Sequence, residues 1–196
     1  MSKGIYHRGY LPHWDFEKSL QAVTFRLADS VPISLIQDWK QELASTHEDL
    51  ALEKRLHQRI ARYEDAGHGS SFLRDPACAA IVQNELISGH ATHYDLIEWC
   101  VMPNHVHVLI KLHNASGLSK VVQTWKGKSA YLINRQLTRK GTIWQREYYD
   151  RYIRDQEHCY DCRAYIRNNP VKAKLCEKPE DWPYSSAGSS WMERRL

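Results

Sequence analysis

Several features are missing from this chain of 196 residues, and each absence narrows what it can be. No run of apolar residues approaches the roughly 18 that a membrane-spanning helix needs, so no membrane role is expected. The opening stretch MSKGIYHRGYLPHW contains no apolar core of a secretion signal, which points to the cytoplasm. Cysteines are few and odd in number (Cys78, Cys100, Cys159, Cys162, Cys176), which excludes a disulfide scaffold and fits reduced structural thiols. Cys159 and Cys162 form a lone C-x-x-C without the second ligand pair of a zinc site, and their spacing also suits one helical face. There is no internal repeat and no low-complexity tract. With 42% hydrophobic and 26% charged residues, the composition is that of a globular domain, read as one unit over 1–196.

The net charge is only +4, but its distribution is uneven. Nine basic residues lie between Lys120 and Arg154, opposed only by Glu147 and Asp150. Trp125, Tyr131, Trp144, Tyr148, Tyr149 and Tyr152 are interleaved with them. Basic groups attract phosphates and rings can stack on unpaired bases, although a solvated helix face with core aromatics has the same composition.

The apolar pattern predicts a first strand over LQAVTFRLADS (Leu20 to Ser30) and then helical spacing from Val31 to about Gly89. Asp75 is a candidate N-cap, with Pro76 at the first helical position. YDLIEWCVM and HVHVLIKL read as two strands joined by a turn at Pro103 and Asn104. GLSKVVQTWKGKSAYLINRQL reads as a long helix, GTIWQREYYDRYI as a further strand with its extension. DQEHCYDCRAYIRNN reads as a last helix, capped by Asp155 and expected to end near Pro170. The order predicts an α+β, ferredoxin-like (split βαβ) antiparallel sheet with helices, plus a helical insertion at about 31–89.

The chemistry-bearing segment is WCVMPNHVHVLIKL. In a strand, alternate side chains share a face, so His105 and His107 point one way while Val106, Val108 and Ile110 point the other. Two half-buried imidazoles need something to hold them, either ordinary hydrogen bonds or a metal ion.

Four blocks in sequence, MPNHVHVLI, WQREYYDRYIR, YIRNNPVKAKL and DWPYSS, resemble the REP-associated tyrosine transposases, within the wider HUH single-strand DNA endonucleases. YHRGYLPHWD and VTFRLADS near the start are similar to that family as well, so the likeness covers roughly 5–30 and 94–186. It implies a transposase that nicks and rejoins single-stranded DNA at REP-type hairpins through a 5′-phosphotyrosine, with Tyr165 as nucleophile. It also implies His105, His107 and Asn169 as ligands of Mg²⁺ or Mn²⁺, and a nucleoid-associated, monomeric protein. On a helix, Tyr165 and Asn169 would stand one turn apart on one face, although a C-cap role for Asn169 is the alternative. Lys126, Lys128, Arg151 and Arg154 are candidates for contacts to the DNA backbone, and Arg8 and Tyr10 for unpaired bases. Where the family usually has glycine, this chain has Lys174. Two other readings remain at this level: a hairpin-binding protein that does not cut, and a metal hydrolase in which the histidine pair activates water.

Overall fold

The computed structural model describes residues 5–7, 12–14, 19–44, 49–113 and 117–188. A short hairpin pairs β1 (Ile5–His7) with β2 (Pro12–Trp14). The main sheet contains β3 (Leu20–Arg26), β4 (Tyr94–Val101), β5 (His105–Leu112) and β6 (Tyr149–Tyr152), in the order β4-β5-β3-β6, with every pairing antiparallel. The first strand of the sheet thus lies between the third and the fourth. That is the split βαβ arrangement expected from the order of elements.

Between β3 and β4 the chain forms α1 (Ile33–Ala44), α2 (Asp49–Asp65) and α3 (Pro76–Ser88). These do not act as one insertion. Cys78, Ala79, Val82 and Leu86 of α3 pack in the same cluster as Phe25, Val106 and Val108 of the sheet. By contrast, Ile36 and Leu43 of α1 pack with Leu52, Leu56 and Ile60 of α2 in a separate cluster. The stretch 31–89 therefore splits into an added helical hairpin and a helix that belongs to the central fold. Helical periodicity marks both alike, and only the packing partner separates them. Asp75 caps α3 by accepting from the Ala77 amide, with Pro76 at the first position.

α4 (Leu118–Gln136) packs beside α3, burying Val121, Val122, Trp125 and Ile133. α5 (Gln156–Lys172) lies on the opposite face of the sheet, where Ile166 joins Cys100, Met102 and Leu109. Asp155 caps α5 through the His158 amide. The helix ends near Pro170, as the sequence suggests, running through the proline to Lys172. Proline in the last turn costs one backbone bond, and the end is closed just beyond it. The Lys174 amide donates to the Val171 carbonyl and the Leu175 amide to the Pro170 carbonyl, with Lys174 in the left-handed region at φ 57°.

Beyond α5, the DWPYSS block lies along the outer edge of β4. The Val101 amide donates to the Tyr184 carbonyl, the Ser186 amide to the Trp99 carbonyl, and the Trp182 indole to the Val101 carbonyl. An otherwise open sheet edge is covered in this way. Among the described residues no helix is long and apolar enough to cross a membrane.

Candidate active site

Strand alternation puts Val106, Val108 and Ile110 in the core against α3 and α4 and turns His105 and His107 towards α5. Both imidazoles are almost fully buried, and their Nε2 atoms lie 2.9 Å apart. Each ring is held from behind. His107 Nδ1 is 2.9 Å from the Thr24 hydroxyl, which is its cross-strand neighbour on β3. His105 Nδ1 is 2.8 Å from Asn104 Oδ1.

The Asn104 side chain donates through Nδ2 to the backbone carbonyls of Glu64 and His68, so its oxygen must face His105. An acceptor at that point requires the proton on His105 Nδ1 and leaves Nε2 with a free lone pair. Residues at the end of α2 and just beyond it thereby fix the tautomer of His105. Burial, followed by the charge of Arg26, pulls the His105 pKa down to about 3. Burial and the neighbouring His105 hold His107 well below its ordinary value. Both rings are neutral at physiological pH, the form that binds metals.

Tyr165 of α5 reaches this pair from its own chain, with its ring edge-on to His107 at 5.3 Å between centroids. Asn169, one helical turn on, is 1% exposed, and among the described residues neither polar atom of its carboxamide has a hydrogen-bond partner of ordinary geometry. It lies inside the helix, three residues short of the end, and is not the C-cap, which is Ala173. Lys172 continues the same helical stripe and places its ammonium 4.9 Å from the centre of the Tyr165 ring. Burial and the charge of Asp65 push the Tyr165 pKa up to about 12, while Asn169 pulls it the other way.

His107, Tyr165 and Lys172 line a cleft of about 640 Å³. One wall comes from α2, through His57, Arg62 and Asp65. His57 stacks on Tyr149 of β6 at 3.9 Å, and Glu64 pairs with the buried Arg26 at 2.9 Å, so the added hairpin is anchored to the sheet beside the imidazoles.

The donor set fits a divalent cation. Two cis donors about 2.1 Å from an octahedral ion are about 3.0 Å apart, close to the Nε2 separation, and the buried carboxamide of Asn169 is the candidate for a third donor. Among the described residues no cluster of three or more His, Cys, Asp or Glu is placed to hold a metal ion.

The remaining sequence candidates separate. Arg151 and Arg154 line the cleft. Lys126 and Lys128 are on α4, behind the sheet: Lys126 donates to the Gln145 and Arg146 carbonyls, and Lys128 lies 3.9 Å from Glu85. Burial lowers the Lys126 pKa to about 8. Arg8 and Tyr10 lie outside the described residues. Thr24, Asn104 and the wall from α2 were not singled out from the sequence. Asn104 could have been, since it adjoins His105, but it reads equally well as a turn residue.

Residues 82–169 match the family model described as transposase IS200 like. A Haemophilus influenzae protein that carries the name REP-associated tyrosine transposase is 31% identical over 103 residues, covering 47% of this chain and 58% of the relative. An uncharacterized protein of the same organism is 28% identical over 104 residues, covering 38% of this chain and 53% of its own length. The alignments thus span a little over half of these curated relatives. A solved structure of a REP-associated tyrosine transposase bound to a REP hairpin shares the fold, with a TM-score of 0.55 at 17% identity, over 95% of this chain and 82% of the other. The region that carries the imidazole pair, the phenol and the carboxamide is therefore similar to the IS200-like transposases, and the chain resembles a protein that carries the name REP-associated tyrosine transposase.

Proposed function

We propose that the protein is a divalent-metal-dependent endonuclease and strand transferase that acts on REP-type hairpins in single-stranded DNA. The observation that carries this reading is that Tyr165 and His107 meet edge-on in one cleft, with the buried Asn169 one helical turn beyond the tyrosine. His105, His107 and Asn169 would hold Mg²⁺ or Mn²⁺, which when bound withdraws charge from the scissile phosphate. Thr24 and Asn104 orient the two imidazoles. The Tyr165 oxygen forms a bond to phosphorus, the bond from phosphorus to the 3′ oxygen breaks, and a free 3′-OH leaves. The phosphotyrosyl ester keeps the bond energy, so a 3′-OH can reverse the step and join strands. Arg151 and Arg154 at the cleft mouth contact the DNA backbone.

Tyr165 faces His107 of its own chain, which supports a monomer over a dimer that exchanges tyrosines. The test is incubation with a labelled single-stranded REP hairpin and Mn²⁺, followed by a denaturing gel. The expected result is a covalent protein–DNA band that Tyr165→Phe removes and EDTA suppresses. Binding with no such band overturns the cleavage reading, and cutting that survives Tyr165→Phe overturns the role of the tyrosine.

A further inference from the structure

Glu98 is 1% exposed, yet it is a carboxylate in the middle of a sheet strand. Its placement depends on an irregularity in β4. The pairing register with β5 shifts between Leu96 and Glu98, so Ile97 is an extra residue on the β4 side. Leu96 faces the core with Ile110, and strict alternation would send Glu98 into the same apolar core. The bulge instead sets Glu98 opposite Leu109, on the face covered by α5.

There the carboxylate accepts three hydrogen bonds. Arg163 Nε donates to Oε2 at 2.8 Å, and Arg167 Nε to Oε1 at 2.7 Å. The Ser186 hydroxyl, from the strap along β4, donates to Oε1 at 2.8 Å. Arg163 and Arg167 are four residues apart and share one side of α5. At about 100° per residue, Tyr165 lies about 160° around the helix from both of them. Cys162 and Ile166, between the two sides, pack towards the sheet. Apolar packing along that ridge holds the helix against the sheet, and a directional two-point grip on one side further restrains its roll and sets where the other side points.

We infer that Glu98 is a positioning residue: through Arg163, Arg167 and Ser186 it locks the rotation of α5 and holds the Tyr165 oxygen over the imidazole pair of the same chain. This rests on the proposed reading of Tyr165 as nucleophile. The clamp also gives the C-terminal strap a second task besides covering the edge of β4, because Ser186 completes the carboxylate's partners.

The test uses the full chain with Glu98→Gln, which keeps the shape and removes the charge, and Glu98→Asp, which keeps the charge on a shorter stem. With the hairpin saturating, single-turnover nicking falls roughly 10- to 100-fold in Glu98→Gln while Kd for the hairpin changes less than about twofold, as expected for a misplaced reacting group. Glu98→Asp recovers part of the rate. A purely structural role would lower the melting temperature of the variant and leave nicking by the folded protein unchanged at 25 °C, and that result overturns the inference. A second readout is independent of activity: 3-fluorotyrosine at position 165 gives one sharp ¹⁹F line in the parent and a shifted or doubled line with Glu98→Gln. Identical spectra overturn the clamp. Absence of nicking by the parent protein would count against the proposed function, and the ¹⁹F comparison would still decide the clamp.

Discussion

Replacing Lys174 by glycine should stabilise the protein. Lys174 is the residue just past the C-cap of α5 and holds φ 57°, where its Cβ crowds the following carbonyl oxygen. An L-residue there costs about 1–2 kcal/mol, and glycine avoids that cost. Glycine in turn loses more freedom on folding, which removes about 0.5–1 kcal/mol of the gain. Lys174 is exposed, so little packing is lost with it, and its charge near the helix end is worth about 0.3 kcal/mol. The net expectation is a gain of about 0.5 kcal/mol. For a chain of this size, that is a rise in melting temperature of about 1–2 °C. Circular dichroism during thermal and urea unfolding measures it. Lys174→Ala is the control, because alanine keeps the strained φ and should give no gain. A fall in stability with glycine, or an equal gain with alanine, would refute the argument from backbone strain.

Other perturbations have equally definite outcomes. Thr24→Val removes the hydroxyl behind His107 at nearly constant volume, and Mn²⁺ affinity measured by calorimetry should fall roughly 10- to 100-fold; an unchanged affinity would show that the ring needs no such support. Burial and the charges of Arg26 and Arg151 lower the His57 pKa to about 4 from an ordinary 6.5, so the unfolded chain takes up a proton there before the folded one does. Stability from this group is present above pH 6.5 and is lost as pH falls towards 4, on the order of 2 kcal/mol, and His57→Phe should flatten the urea midpoint across that range. If the midpoint of the variant falls as steeply as that of the parent, His57 is not the acid-sensitive group. Arg151→Gln should reduce the slope of log Kd against log salt for a single-stranded hairpin by about 0.7, whereas Lys126→Met should leave that slope unchanged, since the ammonium is engaged by two backbone carbonyls. A reduced slope with Lys126→Met would place DNA on α4 behind the sheet.

Much of the fold was legible in the sequence because its signals are local. The alternation around His105 and His107, the Asp75-Pro76 helix start and the Asp155 cap each depend on residues within a few positions of one another. Two features were not legible, because distant groups decide them. Periodicity placed α1, α2 and α3 in one insertion, and only the separate apolar clusters divide them. The register shift at Ile97 leaves no mark in the one-dimensional pattern, yet it turns Glu98 from the core to α5. In the site, strand alternation gave the shared face of the histidines, while the choice of Tyr165 among many tyrosines came from the motif. The partners that orient the rings, Thr24 from β3 and the carbonyls of Glu64 and His68 that fix Asn104, lie 36 to 83 residues away in sequence.

The most direct test of the central claim is mass spectrometry of the covalent product. After reaction with a REP hairpin and Mn²⁺, nuclease trimming and trypsin digestion should leave the peptide Ala164–Arg167 carrying a nucleotide phosphate on Tyr165. A nucleotide on a different tyrosine, or metal-dependent cutting that leaves no modified peptide, would contradict the account.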